Sequence, residues 1–505
     1  MSMPATQIPS SITLKDLLGG IAEAPDILIH GIANDTRELC AGSVFFACPG
    51  AQSHGLDYAQ QAVEAGAIAI VYDSDVGTAI PRVDVPMIRV AGLRSYLGEL
   101  ANRFYDHPSR AVSVIGITGT NGKTTVAWML SQALQLLGKT CAYAGTLGYG
   151  INEVDAKEGL TTPDVIEMHR RLASFRDGGA THAAIEVSSH ALAQHRIDGV
   201  MIDTAIFTNL SRDHLDYHGD MRAYAEAKAS LFTANKPRRS IVNRDSRFGA
   251  ELAARIGNGA IVVSVDPDWA PGKRSHVCLR SASAVAGGSQ IVVETSWGEA
   301  RISLPLPGGF NIENALLVLA FLLSDGVSVQ DARSALENIG APPGRLELVD
   351  NAPGPAVYID YAHTPHALDV VLQALRPHCA GALWCVFGCG GDRDKGKRPL
   401  MATVAEQHAD RIVVTTDNPR SESPAVIIDE IVAGFSDRAA VTVIEDRATA
   451  IAWVTEHAQD ADTILIAGKG HENYQLIGTE RHDFSDRSAA AANLEARAKH
   501  GEGDK

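Results

Sequence analysis

No apolar run in this chain approaches the ~20 residues needed to span a bilayer, which excludes a transmembrane helix. The opening stretch MSMPATQIPSSITLKDLL has neither a basic n-region nor an apolar h-region, so no signal peptide is expected. Cysteine is scarce: seven residues, an odd number, with no C-x-x-C spacing. A disulfide scaffold is therefore excluded, and reduced thiols in a cytoplasm are expected. Cys385 and Cys389 stand four apart, but in a strand and the loop after it, so they are expected as buried core residues rather than metal ligands. The pattern H-E-x-x-H is missing. His214 and His218 are accordingly not read as a zinc pair, and Leu215, Tyr217 and Gly219 around them read as loop rather than helix. Positive charge is outweighed, leaving a formal net charge of −16, which excludes the basic face that a nucleic-acid binder needs. The 505 residues that remain to be explained are too many for one core and suggest roughly three domains.

What is present centres on residues 112–128, VSVIGITGTNGKTTVAW. A β-branched run (Val112, Val114, Ile115, Ile117) ends in a glycine-rich turn, followed by Lys123, Thr124, Thr125 and a helical pattern over 126–137. Strand, bare backbone amides and helix N-terminus together make an anion site, because unpaired N–H groups and the helix dipole both favour negative charge. Lys123 can reach the β/γ-phosphates of ATP, and Thr124 can ligate Mg²⁺. The strict pattern G-x-x-x-x-G-K-[ST] is not met, since Ile117 stands five before Gly122. Even so, GK[ST] flanked by strand and helix outweighs an ordinary glycine turn.

Residues 1–92 read as a small α/β domain, with a helix over 57–65 and strands over 44–47, 67–72 and 85–90. Asp35, Thr36 and Arg37 and the polar turn 52–55 gather donors on its loops, where surface chemistry is an equally good account. The central domain, 93–341, has strands at 183–187 and 204–208 that end in EVSSHAL and NLSRDHLDYHG. Ligands collect beyond the carboxyl ends of strands in open α/β sheets, so Glu186 is placed to meet Mg²⁺ beside Thr124. In the helix over 221–232, Tyr224, Lys228, Leu231 and Phe232 share one face, which aims Lys228 inward. A snorkelling lysine is the better account by spacing alone. The alternative is an amine kept neutral by burial and able to form a carbamate with CO₂. A hairpin over 289–304 with its turn at Gly298 precedes an apolar helix that carries Asn311 at its start.

The domain 342–505 alternates strands (356–360, 383–387, 411–415, 441–444, 463–467) with helices (365–375 and 424–435 among them), the pattern of a doubly wound, mostly parallel sheet. DYAHTP, GCGGDRDKGKRP, TDNPRSESP and AGKGHE follow the strands and mark a ligand crevice at one sheet edge. Arg393, Lys395, Lys397 and Arg398 read as a phosphate or carboxylate site rather than a solvated charge run.

Taken together, TGTNGKTT, EVSSHAL, NLSRDHLDYHG, GRLE, DYAHTP, FGCGGDRDKGKRP, DNPR and GKGHE resemble the Mur ligases in content and order over essentially the whole chain. The closest likeness is to the branch that adds meso-diaminopimelate to UDP-N-acetylmuramoyl-L-alanyl-D-glutamate. Ile117 is the form of phosphate loop that this family uses. The resemblance implies a three-domain α/β architecture: a small N-terminal UDP-binding domain, a central P-loop ATPase-like mostly parallel sheet, and a C-terminal doubly wound Rossmann-like sheet. It also implies an ATP- and Mg²⁺-dependent amide ligase of peptidoglycan precursor synthesis that works through an acyl phosphate, as a cytoplasmic monomer.

By that resemblance, Gly119, Thr120, Asn121, Gly122, Lys123, Thr124 and Thr125 hold the ATP phosphates, and Asn311, Arg345, Asp360 and His363 the rest of the nucleotide. Thr124 and Glu186 take one Mg²⁺, and His214 with Lys228 as its carbamate takes a second, which reverses the reading of Lys228 from spacing. Lys123, Glu186, His214 and Lys228 are thus the implied catalytic set. Thr36 and Gln52 correspond to the UDP clamp, and Thr161, Thr162, Ser188, Gln194 and Arg196 to the muramoyl-dipeptide contacts. Arg393, Asp417, Asn418, Arg420, Gly468 and Glu472 correspond to the diaminopimelate site, with Arg420 answering the second carboxylate that lysine lacks. Two other readings are weaker. A ligase for lysine or another amino acid predicts something other than Arg at 420, and an ATP-driven switch has no need of Arg420, Glu472 and Lys228 together.

Overall fold

The computed structural model describes residues 12–50, 53–73, 79–155, 159–349 and 354–503. The chain forms two compact units, Met1–Val262 and Val263–Lys505.

Among the described residues the first unit holds a two-stranded ladder, Ile12–Thr13 with Leu28–Ile29, and strands of two larger sheets. Strands Gly31–Ala33, Ser43–Ala47, Ala67–Asp73 and Met87–Val90 pair in parallel in chain order. In the second sheet, strand Ser113–Thr118 lies between His182–Glu186 and Ile202–Phe207, both parallel to it. Cys141–Gly145 extends one side, followed by an antiparallel edge strand, Gly148–Ile151; Arg239–Asn243 extends the other. Strand Ser113–Thr118 is apolar and β-branched because helices cover both faces of a parallel sheet, and five of its six residues are buried. Its two neighbours were both expected from sequence, within two residues at either end.

The second unit begins with three antiparallel strands, His276–Val285, Gly288–Thr295 and Gly298–Leu304. The expected hairpin turn is present, with Thr295 opposite Gly298. Strand His276–Val285 was not foreseen: a register shift between Leu279 and Ser281 and an exposed Ser-Ala run erase its alternation. Helix Gly309–Ser324 is apolar all round and buried over most of its length. The six-stranded sheet runs Glu347–Leu348, Ala356–Asp360, Thr463–Ala467, Leu383–Phe387, Arg411–Val414, Val441–Val443, parallel apart from the first pair. Its five parallel strands are those expected. The last of them in sequence, Thr463–Ala467, returns to lie between the first two. A hairpin (Tyr474–Ile477, Glu480–Asp483) and helix Asp486–Gly503 complete the unit. The hairpin escaped notice because its second strand is charged and wholly exposed, with no apolar face to signal it.

One local reading is corrected. Residues Leu215–His218 form a helical turn rather than a loop, closed by Gly219 and entered through His214 at φ +52. No helix among the described residues is long and apolar enough to cross a membrane.

Candidate functional site: a phosphate loop and an amino-acid crevice

In the first unit the glycine loop leaves strand Ser113–Thr118 and enters helix Lys123–Leu136 through Gly122 at φ +84, a left-handed geometry that favours glycine. The facing strand end fastens it. Thr120 N donates to Asn209 O at 2.9 Å, Asn121 N to Asn209 Oδ1 at 2.9 Å, and Thr208 Oγ1 to Asn121 O at 2.6 Å. A Cβ at Gly119 would lie 1.8 Å from Thr208 Oγ1, so only glycine fits there. The Lys123 ammonium bends back to donate to Gly119 O (3.0 Å) and Thr120 O (2.9 Å). Thr125 sits in the first turn of the same helix.

Thr124 Oγ1 donates to Glu186 Oε2 at 2.9 Å, so the two side chains expected to stand side by side do so. Glu186 is 1 % exposed. Its other oxygen accepts from Tyr143 Oη (2.7 Å) and Thr146 N (2.8 Å). Sequence reasoning missed both partners: they come from strand Cys141–Gly145 and the residue after it, and only the fold sets that strand beside the one that carries Glu186. Five residues expected to meet the muramoyl dipeptide lie in the same network. Thr161 Oγ1 is 3.2 Å from Thr146 Oγ1, Thr162 Oγ1 donates to Glu186 O at 2.8 Å, and Ser188 N donates to Thr162 Oγ1 at 3.1 Å. Arg196 Nη1 donates to Thr162 O (2.9 Å) and its Nε to Gln194 Oε1 (3.1 Å), while Gln194 Nε2 reaches Tyr217 Oη at 3.0 Å.

Lys228 is 1 % exposed, which rules out the snorkelling account. Its ammonium nitrogen donates to Gly119 O at 2.7 Å and lies over the Tyr224 ring. Burial, reinforced by the Lys123 charge, pushes this amine down to about 6. His214 lies among His190, Tyr217, His218 and Tyr224, with its ring centroid 4.8 Å from that of His190 and 6.1 Å from that of Tyr224. In the N-terminal sheet, Thr36 lines a depression of about 390 Å³ with Asn34, Asp35, Ser53 and Tyr58. Gln52 lies outside the described residues.

The second unit gathers the other expected residues beyond the carboxyl ends of its strands. Asp360 is buried, and its two oxygens accept from Leu346 N (2.8 Å) and Ala362 N (2.7 Å). Burial raises its carboxyl from the ordinary range, against the pull of Arg345. Arg345 lies over the Tyr361 ring, and His363 Nδ1 is 2.8 Å from Tyr361 O. Asn311 is buried, donating from Nδ2 to Pro307 O at 2.8 Å. At the same sheet edge, Asn418 Nδ2 donates to Glu472 Oε2 at 2.8 Å. Lys469, fully buried, donates to Asn418 Oδ1 (3.2 Å) and Glu472 Oε2 (3.1 Å); sequence reasoning quoted it within GKGHE without giving it a part. A Cβ at Gly468 would meet Asp417 Oδ2 at 2.6 Å. Arg420, at φ +51, is held by hydrogen bonds from its N to Leu476 O (3.1 Å) and from Gly478 N to its own O (2.8 Å), while Nη1 donates to Gly391 O at 2.9 Å.

The basic run is corrected in part. Arg398 is fully buried and ion-paired with Glu422 (3.0 Å) and Glu430, and Lys395 also pairs with Glu422 (3.0 Å). Their charges are committed to carboxylates of the fold, so neither is an anion receptor. Lys397 donates to His363 O at 2.8 Å, and Arg393 to Asp392 O at 3.1 Å. Cys385 and Cys389 are buried thiols, as expected.

The matches to known proteins cover the same stretches. Family models for the Mur ligase family catalytic domain, the Mur ligase middle domain and the Mur ligase glutamate ligase domain match residues 28–105, 117–322 and 344–470. A protein of Coxiella burnetii named UDP-N-acetylmuramoyl-L-alanyl-D-glutamate–2,6-diaminopimelate ligase is 45 % identical over 91 % of this chain and 94 % of its own. A Haemophilus influenzae protein of the same name is 43 % identical over 92 % of this chain and 96 % of its own. A solved structure of a ligase so named superposes with a TM-score of 0.72 at 31 % identity, covering 96 % of this chain and 99 % of that one. With likeness of that extent, and with the phosphate loop and most of the polar strand ends falling inside the matched segments, the chain belongs to the Mur ligase family.

Proposed function

We propose that the protein is an ATP-dependent amide ligase joining meso-2,6-diaminopimelate to the D-glutamate of UDP-N-acetylmuramoyl-L-alanyl-D-glutamate, with release of ADP and phosphate, in peptidoglycan precursor synthesis. The observation that carries the reading is the crevice that gathers Arg420, Asn418 and Glu472 at one sheet edge, in a chain 45 % identical to a protein named for this activity. It works as a cytoplasmic monomer, and its seven free thiols suit a reducing compartment. Residues 1–92 take the UDP moiety through Thr36 and Gln52, residues 93–341 the ATP phosphates, and residues 342–505 the amino acid.

Phosphoryl transfer from ATP to the glutamate carboxylate gives an acyl phosphate. The diaminopimelate amine then attacks the acyl carbon, and phosphate leaves from the tetrahedral intermediate. The first step brings like charges together, so its barrier falls with each fixed cation and oriented amide at the phosphates. Lys123 and the amides of residues 119–125 supply these, with Lys123 exchanging its loop carbonyls for phosphate oxygens. The Thr124 hydroxyl and Glu186 carboxylate form a hard-oxygen donor set that fits Mg²⁺. A neutral Lys228 amine fits carbamate formation, in which nitrogen adds to CO₂ and loses a proton; the carbamate oxygens with the His214 imidazole nitrogen would give a second, mixed donor set for Mg²⁺. Bound Mg²⁺ supplies charge neutralisation between the carboxylate and the γ-phosphate.

Thr161, Thr162, Ser188, Gln194 and Arg196 orient the dipeptide. Asn311, Arg345, Asp360 and His363 hold the remainder of the nucleotide. At the acceptor, Arg420 and Arg393 answer the two carboxylates, Asp417 and Glu472 the ammonium groups, Asn418 provides an amide, and Gly468 permits close approach. Phosphate release from ATP, measured with the UDP-linked dipeptide and either diaminopimelate, L-lysine or no amine, tests the reading. Turnover with diaminopimelate alone is expected. Equal rates with lysine would overturn the assignment of Arg420, and release indifferent to any amine would overturn the ligase.

A further inference from the structure

The amino-acid crevice is built on two loops that no sheet ladder holds together. One follows Thr416 and carries Asp417, Asn418 and Arg420; the other follows Ala467 and carries Gly468, Lys469 and Glu472. Their parent strands, Arg411–Val414 and Thr463–Ala467, are not neighbours, because Leu383–Phe387 lies between them. Across that gap Asn418 meets Glu472 and Lys469, and one further side chain, outside both loops, bonds to each of them. Arg447, the first residue of helix Arg447–His457, donates from Nη1 to Thr416 O and from Nη2 to Ala467 O, each at 3.0 Å.

A carboxylate fixes the guanidinium that spans the loops. Arg447 Nε and Nη2 donate to the two oxygens of Asp486, each at 2.7 Å, and both side chains are 0 % exposed. Four of the five N–H groups of a guanidinium are thus directed in one rigid plane, a geometry that lysine cannot reproduce. Asp486 opens helix Asp486–Gly503, so the fork is tied to a second helix as well. Neither residue carries an expected role at the site.

We infer that Arg447, locked by Asp486, is a positioning residue that sets the spacing between the two halves of the amino-acid crevice and so determines affinity and selectivity for diaminopimelate. The inference rests on the ligase reading above. A ligand with two carboxylates and two ammonium groups must touch both loops at once, so a shift between them misplaces contacts on one side whichever half it binds first. A misplacement of about 1 Å is enough to cost up to about 100-fold in reactions of oriented groups.

The test uses the full-length chain, with Arg447→Lys and Asp486→Asn. Phosphate release is followed while diaminopimelate, ATP and the UDP-linked dipeptide are varied in turn, and folding is followed by circular dichroism. The expected result is a KM for diaminopimelate raised about tenfold or more. KM for the other two substrates should stay within about twofold, and preference over L-lysine should narrow. A fall in melting temperature with KM for diaminopimelate unchanged, or a common shift in all three KM values, overturns the inference. So does failure of both variants to fold, since the pair is then a folding determinant only. Wild-type protein that releases phosphate without regard to diaminopimelate instead refutes the ligase reading, independently of either variant.

Discussion

The phosphate loop and the amino-acid crevice solve similar problems by opposite means. Residues 119–125 present an anion site made of consecutive backbone amides and one lysine. Its geometry is set by a turn, a helix start and hydrogen bonds to the end of the next strand. The crevice is made of side chains from loops some fifty residues apart, joined by Asn418–Glu472, by buried Lys469 and by Arg447. A polyphosphate offers many equivalent oxygens and can be met by backbone. Diaminopimelate offers two carboxylates and two amines at fixed spacing, so discrimination needs individually placed charges.

The largest effect that would sharpen this contrast is expected in the loop. Lys123→Ala should lower phosphate release about 10³-fold, because the cation at the transferring phosphoryl group is lost while the backbone cradle remains. Steady-state assay at saturating substrates reads this, and a loss below about tenfold would mean that the backbone alone suffices. Arg420→Ala should leave ATP binding intact and cost about 100-fold in kcat/KM for diaminopimelate, with little change for lysine. Competition between the two amino acids measures the ratio directly.

Lys228 provides a third break, in pH dependence. Its amine is depressed from the usual 10.5 to about 6, so between those values the unfolded chain holds a proton that the folded chain does not. Folded stability therefore climbs with pH across that window and is lowest below pH 6, where the buried amine must be charged. Lys228→Met removes the term. Its gain in melting temperature over wild type, in CO₂-free buffer, should be greatest near pH 6 and shrink toward pH 9. A pH-independent gain would show that the amine is not depressed. The smallest effect is expected for Lys395→Ala: a half-exposed ion pair with Glu422 is worth within about 0.5 kcal/mol, and KM for diaminopimelate should not move.

The same contrast explains what could be read from sequence. Much that is contiguous and strongly patterned was legible: the strand–loop–helix at 113–136, the inward face of 221–233, and the five parallel strands of the C-terminal sheet. These are set by local periodicity and turn chemistry. Glu186 was legible because a carboxylate at a strand end beside a phosphate loop has few other uses. The partners of Glu186, Tyr143 and Thr146, were not, since nothing in the chain says which strand ends become neighbours. Arg398 shows the opposite failure. Its neighbours in sequence suggested an anion site, but Glu422 and Glu430 arrive from elsewhere in the fold to neutralise it. The helical turn 215–218 was missed because four residues carry too little periodicity to distinguish it from loop.

One contact in the phosphate loop governs how this site can change over mutational time. Gly119 cannot gain even a methyl group while Thr208 keeps its hydroxyl, 1.8 Å from where that carbon would stand. Position 208 in turn secures Asn121 through that hydroxyl. The constraint on 119 does not end with that hydroxyl: the backbone there stands at φ +153, and Asn209 N and O lie 3.0 and 3.1 Å from the same point. Shrinking 208 would thus leave any side chain at 119 strained, while the loop would still be held by its two bonds to Asn209. A library that varies this loop is therefore best spent with 119 held as glycine, whatever residue stands at 208.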